Sequence, residues 1–225
     1  EVRVGGPGGA SIAVMSIGFL LGSESDAVTL RGPRKDGVVR QFLSGVAWGA
    51  LDFMIIDTPP GTSDEHMSLV SALSKQLSPR TDGALVVSTP QAVSLVDVRK
   101  ELSFCRAHKL NVLGVVENMA AARVPLSQLR FHDASGVDVT TSALAELAAL
   151  CPHLLHGTVG LDVFPAAEGG AAAMAAEWGV PLLGSVPLDR HIAAASDVGE
   201  RCGAPAFEDM VSALLRITDM PVGAE

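Results

Sequence analysis

The segment from Leu51 to His66 limits the fold more than any other part of this chain of 225 residues. It reads Leu-Asp-Phe-Met-Ile-Ile-Asp-Thr-Pro-Pro-Gly-Thr-Ser-Asp-Glu-His, an apolar run that ends on a carboxylate and passes at once into a Pro-Pro-Gly loop. The run predicts a short buried strand, Phe53 to Ile56, with Asp57 at its carboxyl end. An ordinary core strand followed by a proline turn would have the same pattern as far as Asp57. The continuation from Thr58 to Asp64 is more specific than the apolar pattern, because an ordinary core strand does not require this sequence after it.

Strands and helices are predicted to alternate along the whole chain. Short apolar segments bounded by Gly, Pro or Asp predict strands, and apolar residues at helical spacing predict the helices between them. The predicted strands are Ile12 to Ile17, Phe53 to Asp57, Ala84 to Ser88, Val112 to Glu117 and Pro181 to Val186. The predicted helices lie within Val38 to Val46, Leu69 to Leu77, Val93 to Leu102, Ser142 to Leu150 and Phe207 to Ile217. This alternation predicts an α/β fold with a doubly wound, mainly parallel sheet and helices on both faces.

Polar residues follow two of the predicted strands. Asp57 ends one strand, and Asn118 directly follows another. Nucleotides bind at the carboxyl edge of doubly wound sheets, where a carboxylate can hold Mg²⁺ through water. The amide of Asn118 both donates and accepts, which suits the edge of an adenine ring, although a plain turn residue would also fit this position. We therefore expect Asp57 and Asn118 to lie at the same edge of the sheet.

Several motifs together resemble the Mrp/NBP35 family of iron–sulfur cluster carrier ATPases, a branch of the deviant P-loop nucleotidases that also includes MinD and ParA. In chain order they are Met15 to Leu21, Arg31 to Lys35, Trp48 with Asp52 to Asp64, Thr89 to Gln91, Gly114 to Met119, and Trp178 to Asp189. In this resemblance the segment from Asp52 to Asp64 is similar to a Walker B strand and its switch loop. The resemblance implies a P-loop nucleotidase-like fold.

The resemblance also implies roles for individual residues. Two are catalytic: Asp57, which holds Mg²⁺ through water, and Asp64, which positions the γ-phosphate and the attacking water. The ATP base would be contacted by Asn118 and by the chain around Pro187 and Asp189. Cys151 would be a ligand of a [4Fe–4S] cluster shared by two subunits.

The phosphate-binding loop of the family has no counterpart in this sequence. The family begins with a segment of the GKGGVGKS type, whereas the only glycine-rich stretch here is Gly5-Gly6-Pro7-Gly8-Gly9. It contains no Lys for the phosphates and no Ser or Thr after one for Mg²⁺. We interpret it as a flexible lead-in, and the resemblance implies a fold that is incomplete at its N-terminus. Whether the chain itself hydrolyses ATP is therefore left open.

The cluster motif departs from the family as well. Family members carry a CPxC pair, whereas this chain reads Cys151-Pro152-His153-Leu154, so leucine stands at the second cysteine position. A long stretch separates Met119 from Cys151, and residues 120–140 are predicted to be a surface insertion. His153 or His156 would be the alternative ligands, as imidazoles are on Rieske irons. Cys105 and Cys202 are interpreted as small apolar residues rather than ligands.

Composition narrows the class of protein. The length and a hydrophobic content of 48% suit a single nucleotidase-like domain over residues 1–225. A formal net charge of −9 argues against a nucleic-acid surface, and three cysteines do not form a disulfide framework. No apolar run reaches the roughly 18 residues of a membrane helix. We predict no nucleic-acid or membrane partner and a cytoplasmic location, with an organelle matrix as the alternative.

Three functions remain open from the sequence. The first is an ATP-dependent [4Fe–4S] scaffold or carrier that forms a homodimer or heterodimer and serves apo iron–sulfur proteins. The second is a degenerate, non-catalytic partner subunit of such a dimer, which Leu154 and the lack of P-loop lysines favour. The third is a MinD/ParA-like ATPase, which the absence of a basic membrane helix and of a basic DNA surface argues against.

Overall fold

The computed structural model describes residues 2–5, 11–23, 32–166 and 169–219. The chain divides into two compact units, Glu1–Leu77 and Ser78–Glu225. The glycine-rich lead-in beyond Gly5, and Arg31 of the second motif, lie outside the described residues. None of the helices in the described part of the chain combines the length and the apolarity that a membrane crossing requires.

The first unit contains a small sheet and two packed helices among its described residues. Strands β1 (Val2–Gly5) and β2 (Ser11–Val14) pair antiparallel. Helices α1 (Gly32–Ser44) and α2 (Asp64–Leu73) pack against each other. The predicted strand at 12–17 ends early because the Ser16 hydroxyl accepts a hydrogen bond from the Gly18 N–H at 3.2 Å and starts a 3-10 helix, Ile17–Leu20.

The predicted strand from Phe53 to Asp57 is not formed. Residues 53–57 have no assigned secondary structure and join neither sheet of the described chain. Their side chains are exposed, and Ile55 is 92% accessible to solvent. A strand needs a neighbouring backbone to receive its N–H and C=O groups, and this segment has none among the described strands. An apolar pattern alone therefore gave the wrong secondary structure here.

The second unit is built on a four-stranded mixed sheet. Its strands are β3 (Ala84–Ser88), β4 (Val112–Pro125), β5 (Thr158–Leu161) and β6 (Leu182–Leu188). β4 pairs in parallel with β3 and with β6, and its last residues pair antiparallel with β5. The long β4 is thus the strand that joins all the others.

Helices cover both faces of this sheet, as the sequence predicts. They are α3 (Ala92–Ala107), α5 (Gly170–Trp178), α6 (Arg190–Asp197) and α7 (Pro205–Ile217). A further helix, α4 (Thr140–Leu150), packs against the 3-10 helix that follows it. Neighbouring residues of β4 point to opposite faces. Val115 packs with buried residues of α3 and α5, whereas Val116 packs with Met210 of α7. The mainly parallel sheet with helices on both faces is confirmed.

The predicted surface insertion at 120–140 begins inside the sheet. Residues 120–125 continue β4, a 3-10 turn follows at Leu126–Gln128, and a single bridge joins His132 to Asp138 before α4 begins. The carboxylate of Asp133 accepts the backbone N–H groups of Ser135 and Val137 within this loop. That the segment is an insertion relative to other chains stays a prediction.

Candidate functional site

A row of polar residues crosses the parallel strands at the carboxyl end of β3, level with the middle of β6. Ser88 of β3 is in register with Glu117 of β4, and Glu117 is in register with Ser185 of β6. The Ser185 hydroxyl donates to Oε2 of Glu117 at 3.2 Å. Ser88 is almost fully buried, and its hydroxyl donates to the carbonyl oxygen of Thr89 at 3.0 Å. This row forms the polar edge of the sheet.

Glu117 also caps a helix that begins far away in sequence. Its Oε1 accepts the backbone N–H of Ala171 at 3.1 Å, in the first turn of α5. The residue before that helix is Gly169, which has no side chain to cap it, and both Gly169 and Gly170 have positive φ. A Cβ on Gly170 would lie 3.0 Å from Glu117 Oε1, so glycine allows the close approach. Glu117 therefore ties α5 to the polar edge.

The chain bends sharply just after this tether. Asn118 pairs with Val186 and Ala122 pairs with Leu188, so residues 119–121 bulge out opposite Pro187 alone. Met119 has a φ of 57°, and its N–H donates to Oδ1 of Asn118 at 2.9 Å. Proline has no N–H to give to a strand partner, which explains why the pairing is interrupted here.

The predicted base-binding residues of the second unit lie close to one another in register. Pro187 and Asp189 follow Val186, the partner of Asn118, on the same strand end. Asp189 is the N-cap of α6, and its Oδ1 accepts the His191 N–H at 2.8 Å. Part of its hydrogen-bonding capacity is therefore used by the fold. Contact with a base by these three residues stays a prediction.

The two predicted catalytic carboxylates belong to the first unit. Asp57 is exposed in the segment without secondary structure, and Asp64 is the exposed first residue of α2. Between them Gly61 has a φ of 79°, a conformation that favours glycine at the end of the Pro-Pro-Gly turn. A single exposed carboxylate at Asp57 fits a contact to Mg²⁺ through water. Its expected closeness to Asn118 concerns two different units and stays a prediction.

An ion pair follows Asp64 directly. The Lys35 ammonium of α1 donates to Oε1 of Glu65 in α2 at 2.5 Å. The bond from Lys35, followed by one from the Ser63 hydroxyl, lowers the pKa of Glu65 from its ordinary 4.5 to about 2. Glu65 is thus ionised across the physiological range. Sequence reasoning missed this pair, although Lys35 stands in a recognised motif.

Cys151 lies where the sequence predicts it, at the C-terminal end of a helix. Its N–H donates to the Leu147 carbonyl of α4 at 2.8 Å, and its own carbonyl accepts the Leu154 N–H at 3.0 Å in the next 3-10 helix. The thiol is partly accessible, and His153 and His156 are exposed. Cys105 is buried, as predicted for an apolar role, whereas Cys202 is only half-buried.

The ligands around Cys151 do not complete a cluster site within one chain. Among the described residues, no group of three or more His, Cys, Asp and Glu side chains could hold a metal ion. A [4Fe–4S] cluster normally takes four ligands, and the exposed Leu154 adds none. One chain therefore offers a cluster a single thiolate at this position.

Comparison with known proteins shows to which class of α/β proteins this sheet and its helices belong. A parallel sheet with helices on both faces and a polar carboxyl edge is the architecture of nucleotide-binding α/β proteins. A solved nucleotide-binding protein from Archaeoglobus fulgidus, in complex with ADP, is similar with a TM-score of 0.54 and 28% identity. The similarity covers 88% of this chain and 60% of that one. The class is that of P-loop NTPases.

The family follows from the sequence comparisons. The family model for ParA, described as NUBPL iron-transfer P-loop NTPase, matches residues 7–142, more than half of the chain. The chain belongs to this family, and within it to the Mrp/NBP35 group.

Curated relatives agree with this assignment. The cytosolic Fe-S cluster assembly factor Nubp1 homolog of Drosophila melanogaster is 47% identical over 190 residues, which are 84% of this chain and 51% of that protein. Its counterpart in Drosophila willistoni is 45% identical over 212 residues, 93% of this chain and 59% of that protein. The chain thus spans about half the length of the curated relatives it matches.

Proposed function

We propose that this chain acts in cytosolic iron–sulfur cluster assembly, as an ATP-dependent scaffold or carrier that passes [4Fe–4S] clusters to apo-proteins. The observation that carries the proposal is the family match, together with the pairing that brings Asn118 of β4 beside Val186 and Pro187 of β6. The relatives named as cytosolic Fe-S cluster assembly factors support the cargo and the compartment.

Each residue of the proposed site has a role that its surroundings support. Asn118 offers the NH2 group of its amide to the nucleotide base beside Pro187, because Oδ1 already accepts the Met119 N–H within the bulge. Asp57 supplies a carboxylate for the Mg²⁺ shell, and Asp64 is exposed at the start of α2 for the γ-phosphate or the attacking water. Asp189 shapes the site mainly by starting α6.

The cluster would be held as cargo between two subunits. Each subunit gives the Cys151 thiolate, so a dimer supplies two of the four ligands and needs His153, His156 or an outside thiol for the rest. Leu150 and Leu154 flank Cys151 in sequence and are 80% and 41% exposed. Contact with a second subunit would remove this apolar surface from water.

A non-catalytic partner subunit is the second candidate. Leu154 stands where the family has its second thiolate, and Gly5 to Gly9 contain no lysine for the phosphates. Such a chain would keep the dimer contacts and lose cluster binding and hydrolysis.

Reconstitution with iron and sulfide under anaerobic conditions tests the cluster role. We expect the wild-type chain to hold a labile cluster or none, Leu154→Cys to hold more iron and sulfide, and Cys151→Ala to hold less than wild type. Cys202→Ala is the matched control, because it removes another partly exposed thiol. If Cys151→Ala retains as much iron as wild type, Cys151 is not a ligand and the carrier function loses its metal site.

Calorimetric titration with Mg-ATP tests whether residues 1–225 can hold the triphosphate without the lysines of a P-loop. A triphosphate is normally held by backbone N–H groups and lysines of a P-loop. We therefore expect residues 1–225 to bind Mg-ATP weakly or not at all. Micromolar affinity would contradict this reasoning and show that another loop of the chain holds the phosphates.

A further inference from the structure

The segment that carries Asp64 is held on both sides by neighbouring side chains. On its N-terminal side, Nδ1 of His66 accepts the Ser63 N–H at 3.2 Å, which ties the residue before α2 to its first turn. On its C-terminal side, Glu65 forms the ion pair with Lys35. Asp64 lies between these two anchors while its own side chain faces solvent. Its position therefore depends on them.

The ion pair connects two different helices. Lys35 and Glu65 are 30 positions apart in sequence, one in α1 and the other in the first turn of α2. Their side chains are 43% and 21% exposed, so the carboxylate is largely shielded by the packed helices. A negative side chain in the first turn also suits the positive end of the helix dipole. The pair thus fixes the start of α2 against α1.

We propose that Lys35 is a positioning residue, whose bond to Glu65 fixes the turn from Ser63 to His66 and thereby the place of Asp64. The proposal rests on the proposed function, in which Asp64 acts at the γ-phosphate. It adds a residue of α1 to that site without giving it any contact with the nucleotide. It also gives Lys35, the last residue of the motif from Arg31 to Lys35, a role that is separate from the cluster site and the base site.

Protonation of Glu65 should break the Lys35–Glu65 ion pair at low pH only. The folded-state pKa of Glu65 is depressed, so its contribution is present above the ordinary value of 4.5 and is lost as the pH falls through about 2. In Lys35→Met the partner charge is gone, and loss should begin at higher pH. Glu65 titration, followed by the signal of its carboxyl carbon, reports this difference.

Amide hydrogen exchange by NMR tests the positioning directly. The His66 and Met67 N–H groups both donate to the Ser63 carbonyl oxygen, at 3.1 and 3.3 Å. In Lys35→Met we expect them to exchange about two- to fivefold faster, the range for loss of a partly exposed ion pair. The carboxyl carbon signal of Asp64 should shift in the same variant. Lys35→Arg, and the charge swap Lys35→Glu with Glu65→Lys, should restore both readouts.

Lys100→Met is the matched control, because it breaks the exposed Lys100–Asp97 pair of α3 with the same chemical change. Unchanged exchange at His66 and Met67 in Lys35→Met would overturn the proposal. So would an equal increase across β3 and β4, since that would be a general loss of stability. The measurement needs no nucleotide, so the exchange result decides on the positioning by Lys35 separately from any test of the role of Asp64 at the γ-phosphate.

Discussion

Replacing Glu117 with alanine should destabilise the second unit by about 1 to 4 kcal/mol. Most of this loss of stability comes from the backbone N–H of Ala171, which would lose its hydrogen-bond acceptor. Ala171 has no surface exposed to solvent, so water does not replace that acceptor. A buried donor left without a partner costs about 1 to 3 kcal/mol. Loss of the negative charge at the start of α5 adds about 0.3 to 1 kcal/mol. The Ser185 hydroxyl is exposed and adds little, because water can replace the carboxylate.

Urea unfolding followed by the fluorescence of Trp178 measures this cost, because that residue ends α5 itself. A Trp48→Phe background leaves Trp178 as the single indole of the chain. Glu117→Gln keeps an acceptor for Ala171 and should lose about 1 kcal/mol or less. Glu146→Ala, an exposed change on α4, should stay within about 0.5 kcal/mol of wild type. If Glu117→Ala is no worse than Glu146→Ala, the tether does not hold α5.

Two further predictions concern the packing around Gly114 and the reactivity of the three thiols. In Gly114→Ala the new Cβ would lie 2.5 Å from Cγ of Leu183, so we expect a loss of about 1 to 3 kcal/mol in urea unfolding. If the clash is the cause, the double variant Gly114→Ala with Leu183→Ala should lose less than the two separate losses added together. Burial, with the nearby Glu101 charge second, raises the pKa of the Cys105 thiol, so Ellman's reagent at neutral pH should label Cys151 and Cys202 and reach Cys105 only after unfolding. Equal labelling rates for all the thiols would show that the core around Cys105 opens.

Local patterns predicted much of the second unit. The strand at Ala84–Ser88 is confirmed with the same bounds, and the helix predicted over Ser142 to Leu150 is confirmed as α4, which begins at Thr140 and ends at Leu150. Both segments are short and clearly bounded, so local signals decide them. β4 begins at the predicted Val112 but runs on to Pro125, because β5 offers its later residues a partner that no local pattern reveals.

Contacts between distant residues explain what the sequence could not show. Glu117 and Ala171 are 54 positions apart, so nothing near Glu117 indicates that it caps a helix. The alanine-rich α5 has little amphipathic pattern and was not predicted. The strand predicted at 53–57 was wrong for a related reason. That segment has the composition of a strand, but no described strand lies beside it to pair with.

The bulge between Asn118 and Ala122 divides β4 into two mechanically separate lengths. The first is held by β3 and β6, and the second by β5 and the last residue of β6. Because several residues face Pro187 alone, slack in the backbone keeps a change in the second length from pulling on the first. A change of length in the stretch that leads to Cys151 should therefore leave Ser88, Glu117 and Ser185 in register.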